Sequence, residues 1–503
     1  MSNIGKMISD LDLKSKGRIW LIPGLLCGLF SSGIFASVLL AWFYPLFLWK
    51  TTVSTKKNNV LNYVLIGLVI WITANFKFFG MIEGEDLLFH ALLFLTSPLF
   101  YLPPFIIAGI LYRKLNNKIL RILLLPALWT IADWLTSTIG FGAFSSIANS
   151  QINFTTFMQL TSLTGFYGLI FFMVTVSTFI VEVWNNGFHI KGNKQMKHAL
   201  VFIVCFVASV FLYGTFRLST NSTAGDTTRV ASIQNFYSAK DFVGHDKLLQ
   251  KFSDENFETM LSGMSKDVEL AKNGNAKVAL WQEVCFPVRE NNLQKLISHA
   301  SELAKKYDIA LIVPIDTIMN DGSVLNQLAL INKDGNLESM YKKVNLVPFV
   351  ETSTYEKGSD DISCMKVGDV NISSCICFDA LDPILINSSI DKSTDILLVP
   401  AWEWEIISNY AGPSSIFRSV ENGISYVRNT SNGVTFCVDQ FGRPLTWHKT
   451  NNSNEEVVFS DVPDSNVFTV YKYVGNWLIY VCCAYVLFVL GYVVVSGFKR
   501  KHH

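Results

Sequence analysis

The chain has 503 residues, of which 50% are hydrophobic and only 16% charged, with a formal net charge of +1. This balance is too apolar for an ordinary water-soluble enzyme of its length and implies an integral membrane protein. The near-zero net charge argues against a nucleic-acid partner.

The apolar residues crowd into 19–216 and 476–498, whereas 217–475 mixes charges, Asn, Gly and short alternating apolar runs. Three regions follow: an N-terminal membrane domain over 1–216, a water-soluble domain over 217–475, and a C-terminal span with a basic tail over 476–503. A bilayer core of about 30 Å takes about 20 apolar residues as helix. Runs of that kind lie at 59–79, 88–112, 119–136, 157–184, 199–216 and 476–498. The run from Ile19 to Trp49 is long for one span and is interrupted by Ser31-Ser32-Gly33, so by length it fits a tilted helix or a hairpin.

Charge decides between the two. Basic clusters fall at Lys14, Lys16 and Arg18, at Lys50, Lys56 and Lys57, at Arg113, Lys114 and Lys118, at Lys191, Lys194 and Lys197, and at Lys499, Arg500 and Lys501. Placing all five on the cytoplasmic side makes Ile19–Trp49 two crossings, with about seven spans before the soluble domain and eight in all. The acidic turn Glu83, Glu85, Asp86 and the Lys/Arg-free loop 137–156 then lie outside, as does the soluble domain. The basic N-terminus lacks a small-residue cleavage site, and its apolar run reads as an anchor.

Of nine cysteines, Cys27, Cys205, Cys482 and Cys483 sit in membrane runs. Cys285, Cys364, Cys375, Cys377 and Cys437 belong to the exported domain, and an odd set leaves at least one thiol without an internal disulfide. No cysteine or histidine spacing resembles a zinc site, so no metal is expected.

Within the soluble domain, strands are predicted at 229–234, 277–281, 309–315, 327–332, 371–378, 396–401, 425–430 and 434–439, with helices at 254–272, 290–306 and 414–423. This is an α/β layered pattern. Dinucleotide-binding, P-loop and serine-elbow motifs are absent from the sequence. Three polar residues stand at the ends of apolar runs: Glu283 after VALW, Lys343 before LVPF, and Cys377 after ISSCI. Taken singly, each has a plainer structural reading: a turn-capping Glu, a solvated Lys pair, a small buried Cys. Together they form a set, because a thiol becomes a nucleophile when a base removes its proton and a cation stabilises the anions that follow.

That Glu, Lys, Cys order in an α/β domain resembles the nitrilase superfamily of carbon–nitrogen hydrolases. With the membrane regions included, nearly the whole chain resembles the bacterial apolipoprotein N-acyltransferase family. WQEVCFP matches its W-x-E-x-x-x-P at Trp281, Glu283 and Pro287. MYKKVNLVPFVE matches Y-x-K-x-x-L-V-P-F-G-E at Tyr341, Lys343, Leu346, Val347, Pro348, Phe349 and Glu351. ICFD resembles its I-C-Y-E around Cys377, and FRSVENGISYVRNTSNGVT matches a further motif at Arg418, Glu421, Gly423, Arg428 and Gly433. Trp134-Leu135, Gly140-Phe141, Ser150-Gln151 and Tyr167-Gly168 follow the order of the family's membrane region. Three places depart from the pattern: Asp379 stands where Glu is usual, Val350 replaces a glycine, and VPAWEW at 399–404 keeps Ala401 and Trp402 but reads partly like a soluble amidase.

The resemblance implies an αββα sandwich joined to a multi-span helical domain in the bacterial cytoplasmic membrane, with the sandwich outside. It implies Glu283 as general base, Cys377 as nucleophile and Lys343 as oxyanion stabiliser, with Glu351 orienting Lys343 or the incoming amine and Asp379 and Trp402 lining the pocket. The implied reaction is ping-pong transfer of an acyl chain from a phospholipid donor, through a Cys thioester, to the α-amino group of a lipidated apolipoprotein cysteine, without cofactor or metal. Oligomeric state is not legible. Two other readings stand beside it: a membrane-tethered amidase or nitrilase, and, in another class, a ligand-binding membrane protein or inactive scaffold.

Overall fold

Gly24 and Gly28 lie one helical turn apart in the first apolar run, and a side chain at either would collide with neighbouring helices. A Cβ on Gly28 would stand 2.6 Å from both Tyr44 and Thr73, and one on Gly24 would stand 3.3 Å from Leu48. Small residues at such spacing let helices approach closely where lipid gives no hydrophobic drive. In the computed structural model the run is accordingly a hairpin of helices Leu21–Leu29 and Leu40–Val53, of 9 and 14 residues. Each is shorter than the about 20 residues of a full crossing. The turn at Gly33 (φ 79°) packs against the end of the next helix, where Ile34 N–H donates to the Lys77 carbonyl.

The structure describes residues 15–55, 58–79, 87–190, 192–220, 225–234, 254–359, 362–450 and 456–501. The acidic turn at Glu83, Glu85 and Asp86, and the basic residues Lys14, Lys56, Lys57 and Lys191, lie outside them. The chain divides into two units, one of Met1–Ile139, Ser145–Arg217 and Asn476–His503, the other of Gly140–Phe144 and Leu218–Gly475.

In the first unit, six helices among the described residues are long and apolar enough to cross a membrane: Val60–Lys77, His90–Tyr112, Lys118–Gly140, Tyr167–Asn185, Lys194–Thr220 and Trp477–Ser496. The run expected as one span over 157–184 starts as two short helices, and its long helix begins only at Tyr167. Gly165 causes the break, ending the second short helix at φ 70°, ψ 179°, a conformation essentially closed to residues with a side chain. The buried acids are engaged. Glu182 pairs with Lys118 and accepts from Tyr112 at 2.7 Å, and Asp133 accepts from Tyr101 at 2.5 Å.

The second unit is built on strands β1 (Thr227–Gln234), β2 (Val278–Trp281), β3 (Phe286–Arg289), β4 (Ala310–Ile318), β5 (Val324–Ile331), β6 (Leu337–Lys342), β7 (Ser363–Val367), β8 (Val370–Ser374), β9 (Ile396–Trp402), β10 (Ser425–Ser431), β11 (Val434–Val438), β12 (Pro444–Lys449) and β13 (Glu456–Pro463). They form two sheets. One runs β13-β1-β2-β4-β5-β6 with β3 beside β4, the other β12-β11-β10-β9-β8-β7. The inner strands β1, β2 and β4 pair in parallel, as do β8, β9 and β10, while β13 closes on β1 antiparallel across most of the domain.

Helix Glu290–Tyr307 buries Leu296, Ile297, Ala300, Leu303 and Ala304, the three-and-four spacing of one helical face. That face joins Met264 and Val268 of helix Asp254–Asn273, and Leu311, Val313 and Ile315 of β4, in one core. Each large aliphatic side chain buried there contributes roughly 1.5–3 kcal/mol. Successive strand residues face opposite ways, so the alternate β4 residues Ala310 and Ile312, also buried, face the other sheet. Asn429 on β10 ties the sheets together, donating to the carbonyls of Ile233 (3.0 Å) and Leu280 (2.7 Å) and accepting from Gln234. Helix Phe417–Asn422 packs against β10 of the second sheet and against helix Pro383–Ser389, giving an αββα sandwich.

Candidate active site

Three loop-ends converge on one buried charge cluster. Glu283 follows β2, in a turn completed by Val284 at φ 62°. Its backbone N–H donates to the Ala401 carbonyl, and its Oε2 accepts from the Trp402 N–H at 2.9 Å, so the end of β9 fixes the carboxylate. Its Oε1 accepts from Asn326 Nδ2 on β5 and from Lys343 Nζ, both at 2.8 Å. Lys343 directly follows β6, with its N–H bonded to the Asn326 carbonyl. Its side chain is fully buried, and a second bond reaches Glu351 Oε1 at 2.7 Å. Glu351, whose other oxygen accepts from the Val347 N–H at 2.8 Å, is the more open of the two carboxylates at 17% against 2%.

Cys377 does not continue the strand predicted over 371–378. β8 ends at Ser374, and the chain turns at Cys377 with φ 46° into a short 3₁₀ helix, Cys377–Leu381. A non-glycine residue in this left-handed region costs roughly 1–2 kcal/mol. Asp379 holds the turn. It accepts from Ile376 N–H (3.2 Å), Asn345 N–H (2.6 Å) and Tyr341 OH (2.8 Å). Asp379, expected to line the pocket, is fully buried, its oxygens occupied by these donors. Trp402 bridges the two halves through its backbone: its N–H serves Glu283 and its carbonyl lies 3.5 Å from Cys377 Sγ.

Arg428 was quoted above as part of a motif but given no role. It sits in the fully buried strand SYVRNTS, donates to the Cys377 carbonyl at 3.1 Å, and places a guanidinium nitrogen 3.6 Å from Sγ. Glu403, just past β9, anchors it at 2.7 Å. A charged residue inside a predicted strand was the signal available for Arg428. Glu403 and Asp316 gave less, since their partners come from distant segments.

Burial pushes the Cys377 thiol above its ordinary range and the Glu283 carboxylate adds to this, with Lys343 and Arg428 opposing. The resting sulfur is therefore a neutral thiol. Burial works against the Lys343 ammonium, but Glu283, Glu351 and Cys377 outweigh it and hold the group well above the usual lysine range. Burial raises Glu351, against Lys343. Asp316 on β4, bonded by Tyr355 OH at 2.8 Å, is pushed up to about 8, by burial first and then by Glu283 and Glu351. The cluster thus offers a protonated nucleophile, a fixed carboxylate and a permanent cation. No group of three or more metal-ligating side chains occurs among the described residues.

Two family models match the chain: the apolipoprotein N-acyltransferase N-terminal domain over residues 24–179 and carbon-nitrogen hydrolase over residues 229–467. Among curated relatives, the apolipoprotein N-acyltransferase of Rickettsia prowazekii is 22% identical over 406 residues, covering 74% of this chain and 76% of its own. That of Geobacter metallireducens is 23% identical over 501 residues, 92% of each chain. Among solved structures, an amidase from Nesterenkonia sp. is 18% identical with a TM-score of 0.38, covering 48% of this chain and 92% of its own. A membrane unit matching one of these models, followed by an αββα unit matching the other, together with relatives aligned across both, makes the chain similar to apolipoprotein N-acyltransferases over most of its length.

Proposed function

We propose that this protein transfers an acyl chain from a membrane phospholipid to the α-amino group of a lipidated N-terminal cysteine on apolipoproteins, through a thioester on Cys377. The observation that carries the proposal is the bridged cluster itself, in which Glu283, Lys343 and Cys377 meet through the Trp402 backbone. Relatives named for this activity align over both units. By the positive-inside argument, the catalytic unit lies on the extracytoplasmic side.

Glu283 removes the Cys377 proton as sulfur attacks the ester carbonyl, and the oxyanion that forms is stabilised by the Lys343 ammonium. Collapse expels the lysophospholipid alkoxide, which takes the proton from Glu283. The acceptor amine then attacks the thioester, Glu283 takes its proton, and the thiolate leaves and is reprotonated, giving the amide. Because the resting thiol is neutral, deprotonation accompanies attack rather than preceding it. Anchoring follows from the donor's chemistry, since an ester at headgroup level is reached without pulling its acyl chains out of lipid.

The test is intact-mass analysis of the full-length protein incubated with phospholipid under conditions that preserve thioesters. A hydroxylamine-labile acyl adduct is expected on the wild type and on Cys375→Ser, and not on Cys377→Ser. Absence of both adduct and lysophospholipid release would sink the proposal and favour the small-amide hydrolase.

A further inference from the structure

Lys77 closes the helix Val60–Lys77 and is 6% exposed. A lysine at the end of a membrane helix ordinarily extends its ammonium outward to headgroups and water. Here the side chain turns into the bundle instead, with Nζ 5.2 Å from the centroid of the Tyr44 ring. Gly33 makes this tight packing possible, because a Cβ there would lie 2.7 Å from the Lys77 Cβ. Among the described residues no carboxylate lies within ion-pair distance of Lys77. Asp133, behind Tyr101, accepts that tyrosine's hydroxyl at 2.5 Å.

Lys77 lines a pocket of about 30 Å³ with the hydroxyl-bearing Tyr44, Thr73, Ser97, Tyr101 and Ser145, the rest of the wall being apolar. The Tyr44 and Thr73 hydroxyls are 3.2 Å apart and turned to one another. A buried cation without a counter-charge is costly, and one beside a pocket whose wall carries hydroxyl groups is a place for an anion. A water-sized group takes about 10–15 Å³ on this measure, so the pocket holds about two, the number of non-bridging oxygens on a phosphodiester.

We infer that Lys77 and its hydroxyl neighbours bind the phosphate of a glycerophospholipid at headgroup level. The assignment rests on the acyl-transfer reading for its choice of lipid over free phosphate. In the topology proposed above, the Lys77 end of the helix is the extracytoplasmic end, the side of the catalytic unit. Lys77 is a binding residue for the donor and takes no part in the proton transfers at Cys377.

The test uses the full-length protein in two arms. In a Cys377→Ser background, melting is followed with dihexanoyl phosphatidylglycerol, neutral dihexanoylglycerol and inorganic phosphate. The phospholipid is expected to raise the melting temperature, the neutral lipid not to, and Lys77→Met to abolish the shift. In the active protein, Lys77→Met is expected to raise the phospholipid concentration for half-maximal Cys377 acylation about tenfold or more, leaving the saturated rate and acylation from a neutral acyl thioester unchanged. Met keeps the length and removes the buried charge; if that variant does not fold, Thr73→Val carries the same comparison. An equal lipid shift with and without Lys77, or equal loss of the neutral donor, overturns the inference. A shift from inorganic phosphate without one from the lipid overturns the lipid assignment. A Lys77-dependent lipid shift in a protein whose Cys377 is never acylated would retain the anion site and dismiss the transfer reaction.

Discussion

Lys343→Met tests the cluster most directly, because Lys343 joins Glu283 at 2.8 Å and Glu351 at 2.7 Å with no exposure of its own. Removing one partner of a buried ion pair destabilises by about 3–5 kcal/mol, since the remaining charge stays buried without compensation. Losing an oxyanion donor lowers the rate about 100- to 1,000-fold. The variant should therefore form the Cys377 adduct at least about 100-fold more slowly and melt lower at neutral pH. The two effects separate with pH. Without Lys343, which opposes the upward shift of Glu351, the Glu351 carboxylate rises further in the folded protein. A carboxylate raised above its unfolded value stabilises at low pH and loses that contribution as pH rises through the folded value. The melting deficit against wild type should shrink as pH falls, and adding Glu351→Gln should recover stability but not acylation. Acylation within tenfold of wild type, or a pH-independent deficit that Glu351→Gln leaves untouched, would refute the reasoning.

Glu283→Gln keeps an oxygen for the Trp402 N–H but loses the base, so adduct formation in single-turnover mass analysis should fall about 100- to 10,000-fold, and melting should fall as well because the new amide faces the Lys343 and Asn326 donors; an unchanged rate would exclude Glu283 as base. Asp379, pushed up to about 7 mainly by burial, stabilises the fold at low pH and gives this up as pH rises through about 7. Asp379→Asn should flatten the fall in melting temperature between about pH 5 and 8, and identical slopes would dismiss that account. Arg428→Lys loses the forked contact shared between Glu403 and the Cys377 carbonyl, so acylation should drop about tenfold or more although the charge is kept, a result that Lys at full activity would contradict.

Legibility in the sequence followed burial and locality. Strands β4 and β9 are buried along nearly their whole length and were readable as apolar runs. The strands β6, β7 and β12 were not predicted, because their residues are half exposed and carry no sustained alternation. β13 was missed for another reason: its partner is β1, over two hundred residues earlier, and nothing local announces that closure. At the site, Glu283, Lys343 and Cys377 stood out as polar residues ending apolar runs. What holds them did not, since Trp402 reaches Glu283 and Arg428 reaches Cys377 through the fold rather than along the chain. The resemblance placed Asp379 beside the nucleophile, but its hydrogen bonds to Tyr341 and Asn345, which come from another segment, were not legible.

The charge arrangement also bears on why one carboxylate suffices for two half-reactions. A thiolate poised in advance would need a strongly depressed pKa, and on the extracytoplasmic side proposed above it would be open to oxidation. Here burial keeps Cys377 neutral, and the described cysteines are all free. In the proposed cycle Glu283 returns to its carboxylate form once the lysophospholipid leaves with the proton, so Lys343 would face the same partner before the amine arrives as before the ester did. The incoming α-amine presents the same demand as the thiol: a proton to surrender as its nucleophilic atom attacks. Glu351, the more open carboxylate on Lys343, is placed to meet an ammonium approaching from solvent while Glu283 stays reserved for the attack itself. If that division holds, Glu283→Gln slows acylation and deacylation together, whereas Glu351→Gln weakens use of the amine acceptor and leaves thioester formation from phospholipid nearly intact.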